Sequence, residues 1–272
     1  MEKISLAGDL GSGKSTVSAI LVERLGAEYY HTGAIVRSVA EKRGMSVVEL
    51  NKYMETHPEL DKEIDDGLAL LSSSDKRLII DSRMAWHFTK GTFKIYLSTD
   101  IETSALRIMG ANRLGEHAAT LEETIADTRA RRESEKKRYF EKYGVNIKDL
   151  SNYAAVIDTT YATPEEVADC ICSAFEAYCA DNNYKAAFIC PERLNYPDDE
   201  ADNEKVASLC AMLECNQPID MPEVVEEDGE FYIVSGTESA LAYAFSMATY
   251  VPVKLVRGGK PDGEFVKMKN SL

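Results

Sequence analysis

Residues Gly8-Asp9-Leu10-Gly11-Ser12-Gly13-Lys14-Ser15, followed by Thr16, fit G-x-x-x-x-G-K-[ST]. No other stretch constrains the chain so tightly. Glycines let a backbone curl until successive N–H groups aim at phosphate oxygens. Lys14 is then placed to reach the β- and γ-phosphates, and the Ser15 hydroxyl to ligate Mg²⁺. The flanks agree with the loop. Lys3-Ile4-Ser5-Leu6-Ala7 reads as a short buried strand. Val17, Ile20, Leu21 and Leu25 fall at helical spacing, and Gly26 is placed to cap that helix. Strand, loop and helix N-terminus in this order make an anion site. The competing reading is a chance match in a flexible Gly/Ser loop, which the flanks argue against.

Hydrophobic residues make up 44% of the 272, enough for a packed core. The net charge of −15 argues against a broad nucleic-acid surface but leaves room for a local basic pocket. No run of eighteen apolar residues occurs, so no membrane span is expected. The first strand begins almost at once, which leaves no room for a signal peptide. Six scattered cysteines lack zinc spacing and read as free thiols of a reducing, cytoplasmic compartment.

Further along, Glu28-Tyr29-Tyr30-His31 reads as a strand running into Thr32-Gly33 and a helix that carries Arg37. That turn and arginine suit a second phosphate, or equally an ordinary N-cap with a surface arginine. Ser46-Val47-Val48-Glu49 is a capping box opening a helical stretch to residue 71, broken at His57-Pro58. Leu78-Ile79-Ile80-Asp81 is a strand ending in an acid that could hold a Mg²⁺-bound water or a substrate hydroxyl. Arg83 follows at the strand's carboxyl end, where open α/β sheets bind ligands; the alternative is a surface arginine. Residues 93–98 form another strand. In a long charged helix, Leu121 to Tyr143, the row Ile125, Arg129, Arg132, Lys136, Tyr139 and Tyr143 mixes basic with apolar residues on one face. A salt-bridged surface helix is the competing reading. Residues 154–158 close the series, and Thr163-Pro164-Glu165-Glu166 starts a helix. Alternating strands and helices argue an α/β fold with a parallel sheet of about five strands.

Several segments together resemble the archaeal-type cytidylate kinases, a branch of the P-loop nucleoside monophosphate kinases. They are Gly8 to Thr16, Thr32-Gly33-Ala34-Ile35-Val36-Arg37, Gly44-Met45-Ser46 on to Leu50-Asn51-Lys52-Tyr53, His57-Pro58-Glu59-Leu60-Asp61, and Ile80-Asp81-Ser82-Arg83. Arg132-Glu133-Ser134-Glu135-Lys136-Lys137-Arg138-Tyr139, Tyr143-Gly144-Val145-Asn146 and Asp149-Leu150-Ser151-Asn152-Tyr153 continue in the family's order. The resemblance covers about residues 1–180. It implies a P-loop NTPase fold with a helical lid, and phosphoryl transfer from ATP, with Mg²⁺, to a nucleoside monophosphate, CMP or dCMP. It implies that Gly8, Gly11, Ser12, Gly13, Lys14, Ser15 and Thr16 bind ATP, with Ser15 and Asp81 at the metal. It implies that Thr32, Gly33, Arg37, Asp81 and Arg83 bind the acceptor, and that Arg132 and Arg138 act with Lys14 in catalysis. Arg107, Arg113 and Arg129 fall near the lid on the substrate side, with the register among Arg129, Arg131 and Arg132 open by a residue. Asp9 and Ser82 depart from the family's pattern; a carboxylate beside triphosphate must turn away. A kinase for another small acceptor, or a nucleotide-dependent regulatory protein with low turnover, are the alternatives.

The polar run Asp181-Asn182-Asn183 is the expected boundary of a small α+β unit, residues 185–272. It carries 8 basic and 17 acidic residues from 181 on, net −9, against 23 and 29 before it. Residues 186–190 read as a strand and 205–213 as a helix. Two strands flank Asp228-Gly229, a hairpin signal. A helix from about Ser239 and a strand at 251–256 follow. The order is similar to the fold shared by ParB and sulfiredoxin, but Gly236-Thr237-Glu238-Ser239 lacks the basic residues of that family's phosphate turn. Self-association or protein docking is the role expected of this unit.

Overall fold

The computed structural model describes residues 2–45, 47–54, 57–111, 120–197 and 201–270. Strand β1 (Lys3–Gly8) leads through the glycine loop into α1 (Lys14–Leu25), followed by β2 (Glu28–His31) and α2 (Thr32–Lys42). Helices α3 (Val47–Met54) and α4 (Pro58–Leu70), β3 (Leu78–Asp81), the single turn α5 (Ala85–Phe88) and β4 (Thr92–Ser98) come next. Then come α6 (Ile101–Gly110), the 23-residue α7 (Leu121–Tyr143), β5 (Ala155–Asp158) and α8 (Pro164–Ala180). Both α7 and α8 begin at complete capping boxes, Thr120 with Glu123 and Thr163 with Glu166, which is why their first residues match the sequence reading.

The five expected strands pair in parallel in the order β2-β3-β1-β4-β5. Alternation sends successive side chains to opposite faces. Ile79 packs with Val17 and Leu21 of α1 and with Val167, Ile171 and Phe175 of α8; Ile80 packs on the other face with Leu68 of α4 and Trp86 of α5. Burying side chains such as Ile171 and Phe175 contributes roughly 1.5–3 kcal/mol each.

The sheet does not stop at β5. After a tight turn closed by the Tyr184 amide on the Asp181 carbonyl, β6 (Ala186–Ile189) lies parallel to β5, with Val156 opposite Ala187. The chain continues through β7 (Leu194–Pro197), α9 (Asn203–Glu214), β8 (Glu223–Glu227), β9 (Glu230–Ser235), α10 (Thr237–Phe245), β10 (Val251–Leu255) and β11 (Phe265–Lys267). These strands extend one sheet of eleven, in the order β6-β10-β8-β9-β7-β11 outward from β5. The Asp228-Gly229 turn has the two positive φ angles, 52° and 85°, of a type I′ hairpin. One hydrophobic cluster runs without a break from Ala7, Ile80 and Val156 to Ile189, Val224, Phe231 and Leu241. The polar run at 181–183 is thus a turn that both sheet and core cross. All six cysteines are free, and no helix among the described residues is long and apolar enough to cross a membrane.

Candidate active site

The glycine loop is held by close backbone packing. Gly8 has φ +148°, and a Cβ there would lie 2.3 Å from the Leu97 carbonyl oxygen of β4. Gly11, at φ +72°, would bring one within 2.6 Å of the Ser104 carbonyl on α6. Ser12 is buried, its hydroxyl donating to the Asp9 carbonyl at 2.8 Å. Gly13 caps α1 in the left-handed conformation, so the N–H groups of the first turn, with Ser15 and Thr16 exposed there, have no helical acceptor. Lys14 folds back over the loop, its Nζ donating to the Asp9 carbonyl at 2.6 Å, the Gly8 carbonyl at 3.1 Å and Ser12 Oγ at 3.2 Å. Burial, and then the nearby Arg83 charge, bring its pKa down to about 8 against the pull of Asp81, Asp9 and Glu135.

The expected conflict between Asp9 and phosphate is resolved by direction. The buried carboxylate accepts from the Tyr96 hydroxyl at 2.9 Å and the Thr99 amide at 3.1 Å, and pairs with Lys148. Burial alone would raise this carboxyl; Lys148, Arg132 and the Thr99 amide outweigh it and hold it at about 2. Asp81, at the end of β3, accepts from the Tyr29 hydroxyl at 3.0 Å and lies 3.2 Å from His31 Nδ1. Burial works against its ionisation, but His31 and Lys14 prevail and its pKa is lowered.

A cleft of about 330 Å³ opens between the loop and α7, lined among others by Gly8, Asp9, Arg83, Arg132, Glu135 and Lys148. Arg83 Nε meets Glu135 Oε2 at 2.5 Å, and Arg131 Nε reaches the other Glu135 oxygen at 3.3 Å. Arg132 Nε stands 3.8 Å from Asp9 Oδ1, and its buried Nε and Nη2 make no hydrogen bond to any described residue. Arg138 donates to the Tyr139 hydroxyl at 3.2 Å. The far end of α7 is clamped to α4 by Lys142 on Asp61 (2.6 Å) and the Tyr143 hydroxyl on Asp65 (2.5 Å).

The structure therefore brings Lys14, Asp81, Arg83 and Arg132 around the loop. Thr32 joins them through a 3.4 Å hydrogen bond to the Asp81 carbonyl, and Gly33 follows in the first turn of α2. Two of the expected residues stand apart from the cleft. Arg129 is exposed, whereas Ile125, Arg132, Lys136, Tyr139 and Tyr143 of the same row are half-buried and Thr124 and Thr128 beside it are buried. Arg107 faces its own backbone, donating to the carbonyls of Thr159 (2.6 Å), Thr160 (3.3 Å) and Gly11 (3.5 Å), which makes it a brace. Arg113 and Ser46 lie outside the described residues, as does the side chain of Arg37. Sequence reading missed Tyr29, Glu135 and Lys148, because each acquires its role from a partner far along the chain.

An oxygen-only metal position fits here. The Tyr29 hydroxyl is bonded to Asp81 and also interacts with Ser15, so a hydroxyl and a carboxylate flank one point beside the loop. No group of three metal-ligating side chains occurs among the described residues. One or two protein oxygens completed by phosphates and waters is how Mg²⁺ is usually held.

Residues 4–127 match the family described as AAA domain. A cytidylate kinase of Thermoplasma volcanium is 38% identical over 170 residues, which cover 61% of this chain and 87% of that relative. One from Sulfurisphaera tokodaii is 36% identical over 177 residues, covering 64% of this chain and 93% of its own. So little of these relatives lies outside the match that they have no room for a counterpart of β6 to β11. A solved sulfiredoxin of Arabidopsis thaliana is 21% identical over 27% of this chain and 85% of its own, with a TM-score of 0.25, too low to assign a fold to the tail.

Proposed function

Because the chain belongs to the cytidylate kinase family, and so is an ATP-dependent nucleoside monophosphate kinase, we propose that it moves the γ-phosphoryl of MgATP to CMP or dCMP. Residues 1–180 form the kinase unit in this reading, and 185–272 an appended one. The observation that carries it is that Arg83 and Arg132 line one cleft beside the loop over which Lys14 folds, each of the three near a carboxylate or carbonyl that an incoming phosphate can replace.

Phosphoryl transfer spreads charge over the equatorial oxygens, so catalysis is mostly positioning and electrostatic stabilisation. The first-turn amides of α1 and the backbone at Gly11 and Gly13 receive the donor phosphates. Lys14 leaves the Asp9 and Gly8 carbonyls for the β- and γ-phosphates. Arg83, with Arg37, holds the acceptor phosphate in place of Glu135. Arg132, its two buried nitrogens unsatisfied, and Arg138 neutralise the group in flight. Ser15 and Asp81 would hold Mg²⁺, which would offset phosphate charge there. ATP consumption measured over the common nucleoside monophosphates tests the reading. CMP and dCMP should give the highest kcat/KM, and a preference for another acceptor, or no turnover with any, overturns it.

A further inference from the structure

We propose that the C-terminal unit is a working part of the kinase site, with Arg193 as the positioning residue that ties its hairpin to the loop after β5 and so to the P-loop. Arg193 sits in the turn between β6 and β7 and is only 3% exposed. Its Nη1 donates to Asp158 Oδ1 at 3.0 Å and to Thr160 Oγ1 at 2.7 Å. Its Nη2 donates to the Gly229 carbonyl in the β8–β9 turn at 2.5 Å, and its plane lies 5.4 Å from the Phe231 ring.

Thr160 passes this contact on. Its hydroxyl donates to Asp158 Oδ1 at 2.7 Å while accepting from Arg193 and from the Asp100 amide, at 3.2 Å, which opens α6. Arg107, on the same helix, grips the Thr159 and Thr160 carbonyls and reaches Gly11. An unbroken line of polar contacts thus runs Gly229–Arg193–Thr160–Arg107–Gly11. A second approach lies on β8. Glu226 accepts from the Gly229 amide at 2.7 Å; its carboxyl is raised, chiefly by burial, and it feels the charges of Lys148 and Asp9. The hairpin therefore faces both the loop after β5 and the P-loop's own ion pair.

Gluing two units together needs no buried guanidinium, since apolar packing does so at least as well. What an arginine adds is direction: three acceptors fixed at once, two of them at the carboxyl end of a strand, where open α/β sheets take ligands. The inference rests on the kinase reading for its site, but its test reads binding and does not need turnover.

The test uses the full chain. Arg193→Met should weaken ATP binding about tenfold by calorimetry, as expected when a coupled buried contact is lost, and leave CMP binding, read the same way, within about twofold. Arg193→Lys should recover part of the ATP affinity. If Arg193→Met does not fold, the Arg193→Met/Asp158→Asn double variant leaves no unpaired buried charge and carries the same measurement. ATP affinity within twofold of the parent in a folded variant, or equal effects on both substrates, overturns the proposal. Tight ATP binding with no transfer to any nucleoside monophosphate would instead overturn the kinase reading alone.

Discussion

Asp9→Asn removes one charge from the P-loop and keeps its shape. In the parent, the carboxyl is lowered from its ordinary 3.8 to about 2, by Lys148 and Arg132 working against burial. A folded pKa below the unfolded one means that the pairing stabilises above about pH 4 and is lost as pH falls through 2. The depression corresponds to about 2 kcal/mol at neutral pH. For a chain of this size that is roughly 4–8 °C in Tm. Calorimetric unfolding of parent and variant at pH 7 and pH 3 makes the comparison. The variant should be less stable at pH 7, with a gap that narrows to roughly half at pH 3, where the unfolded carboxyl is already protonated. A gap that does not change with pH would show that Asn disturbs packing and that the ion pairs contribute nothing. No gap at pH 7 would mean that Lys148 and Arg132 gain as much from solvent as from Asp9.

Four further outcomes follow from the same geometry. Lys14→Ala should lower kcat by about a hundredfold or more without lowering Tm, because the lysine is held in its charged form against burial; retained turnover excludes it from catalysis. With a pKa of about 8 in the free protein, Lys14 should take up a proton as ATP binds near pH 8.5, seen as a binding enthalpy that changes with the buffer's ionisation enthalpy, and a buffer-independent enthalpy is the contrary result. Arg83→Met should raise the acceptor KM about tenfold or more, from the loss of a charge-assisted hydrogen bond, with far less effect on the ATP KM; equal effects would remove it from the acceptor side. Arg132→Ala should depress kcat and lower Tm by no more than the share of the Asp9 stabilisation that its charge supplies, since two of its nitrogens hydrogen-bond to no described residue, whereas normal turnover with a loss of stability would favour a surface helix.

What could be read from sequence was what short range decides. The loop, its strand and its helix lie within some twenty-five residues, and the capping boxes at Thr120 and Thr163 name their own helix starts. The Asp228-Gly229 hairpin followed from the backbone its turn demands. Partners distant in sequence left no such trace. Asp9 stood out as a departure, but nothing in its neighbourhood announced Lys148, 139 positions away. Strand β11 has three residues and β7 four, too few for a period to show. The polar residues at 181–183 did not announce that the sheet runs on past them: polarity marks where the backbone meets water, and a turn between two strands of one sheet meets water as surely as a linker does. The exposure of Arg129 was not legible because helix phase, drawn through a nearly uniform run of charges, has few apolar residues to anchor it.

The continuation of the sheet past β5 changes how the chain must be made. When residue 180 has been synthesised, β5 is an open edge with Ala155, Val156 and Ile157 able to pair with any passing strand, and Asp158 has no arginine. Strand β6 begins only a few residues later, at Ala186, which at cellular rates takes on the order of a second. Edges of this kind recruit other chains. That exposure of the N-terminal part lasts until β6 emerges and pairs with β5. Once folding ends, the sheet's rim has moved to β11, three residues long and paired with Pro197 of β7, a border too short to template a neighbour.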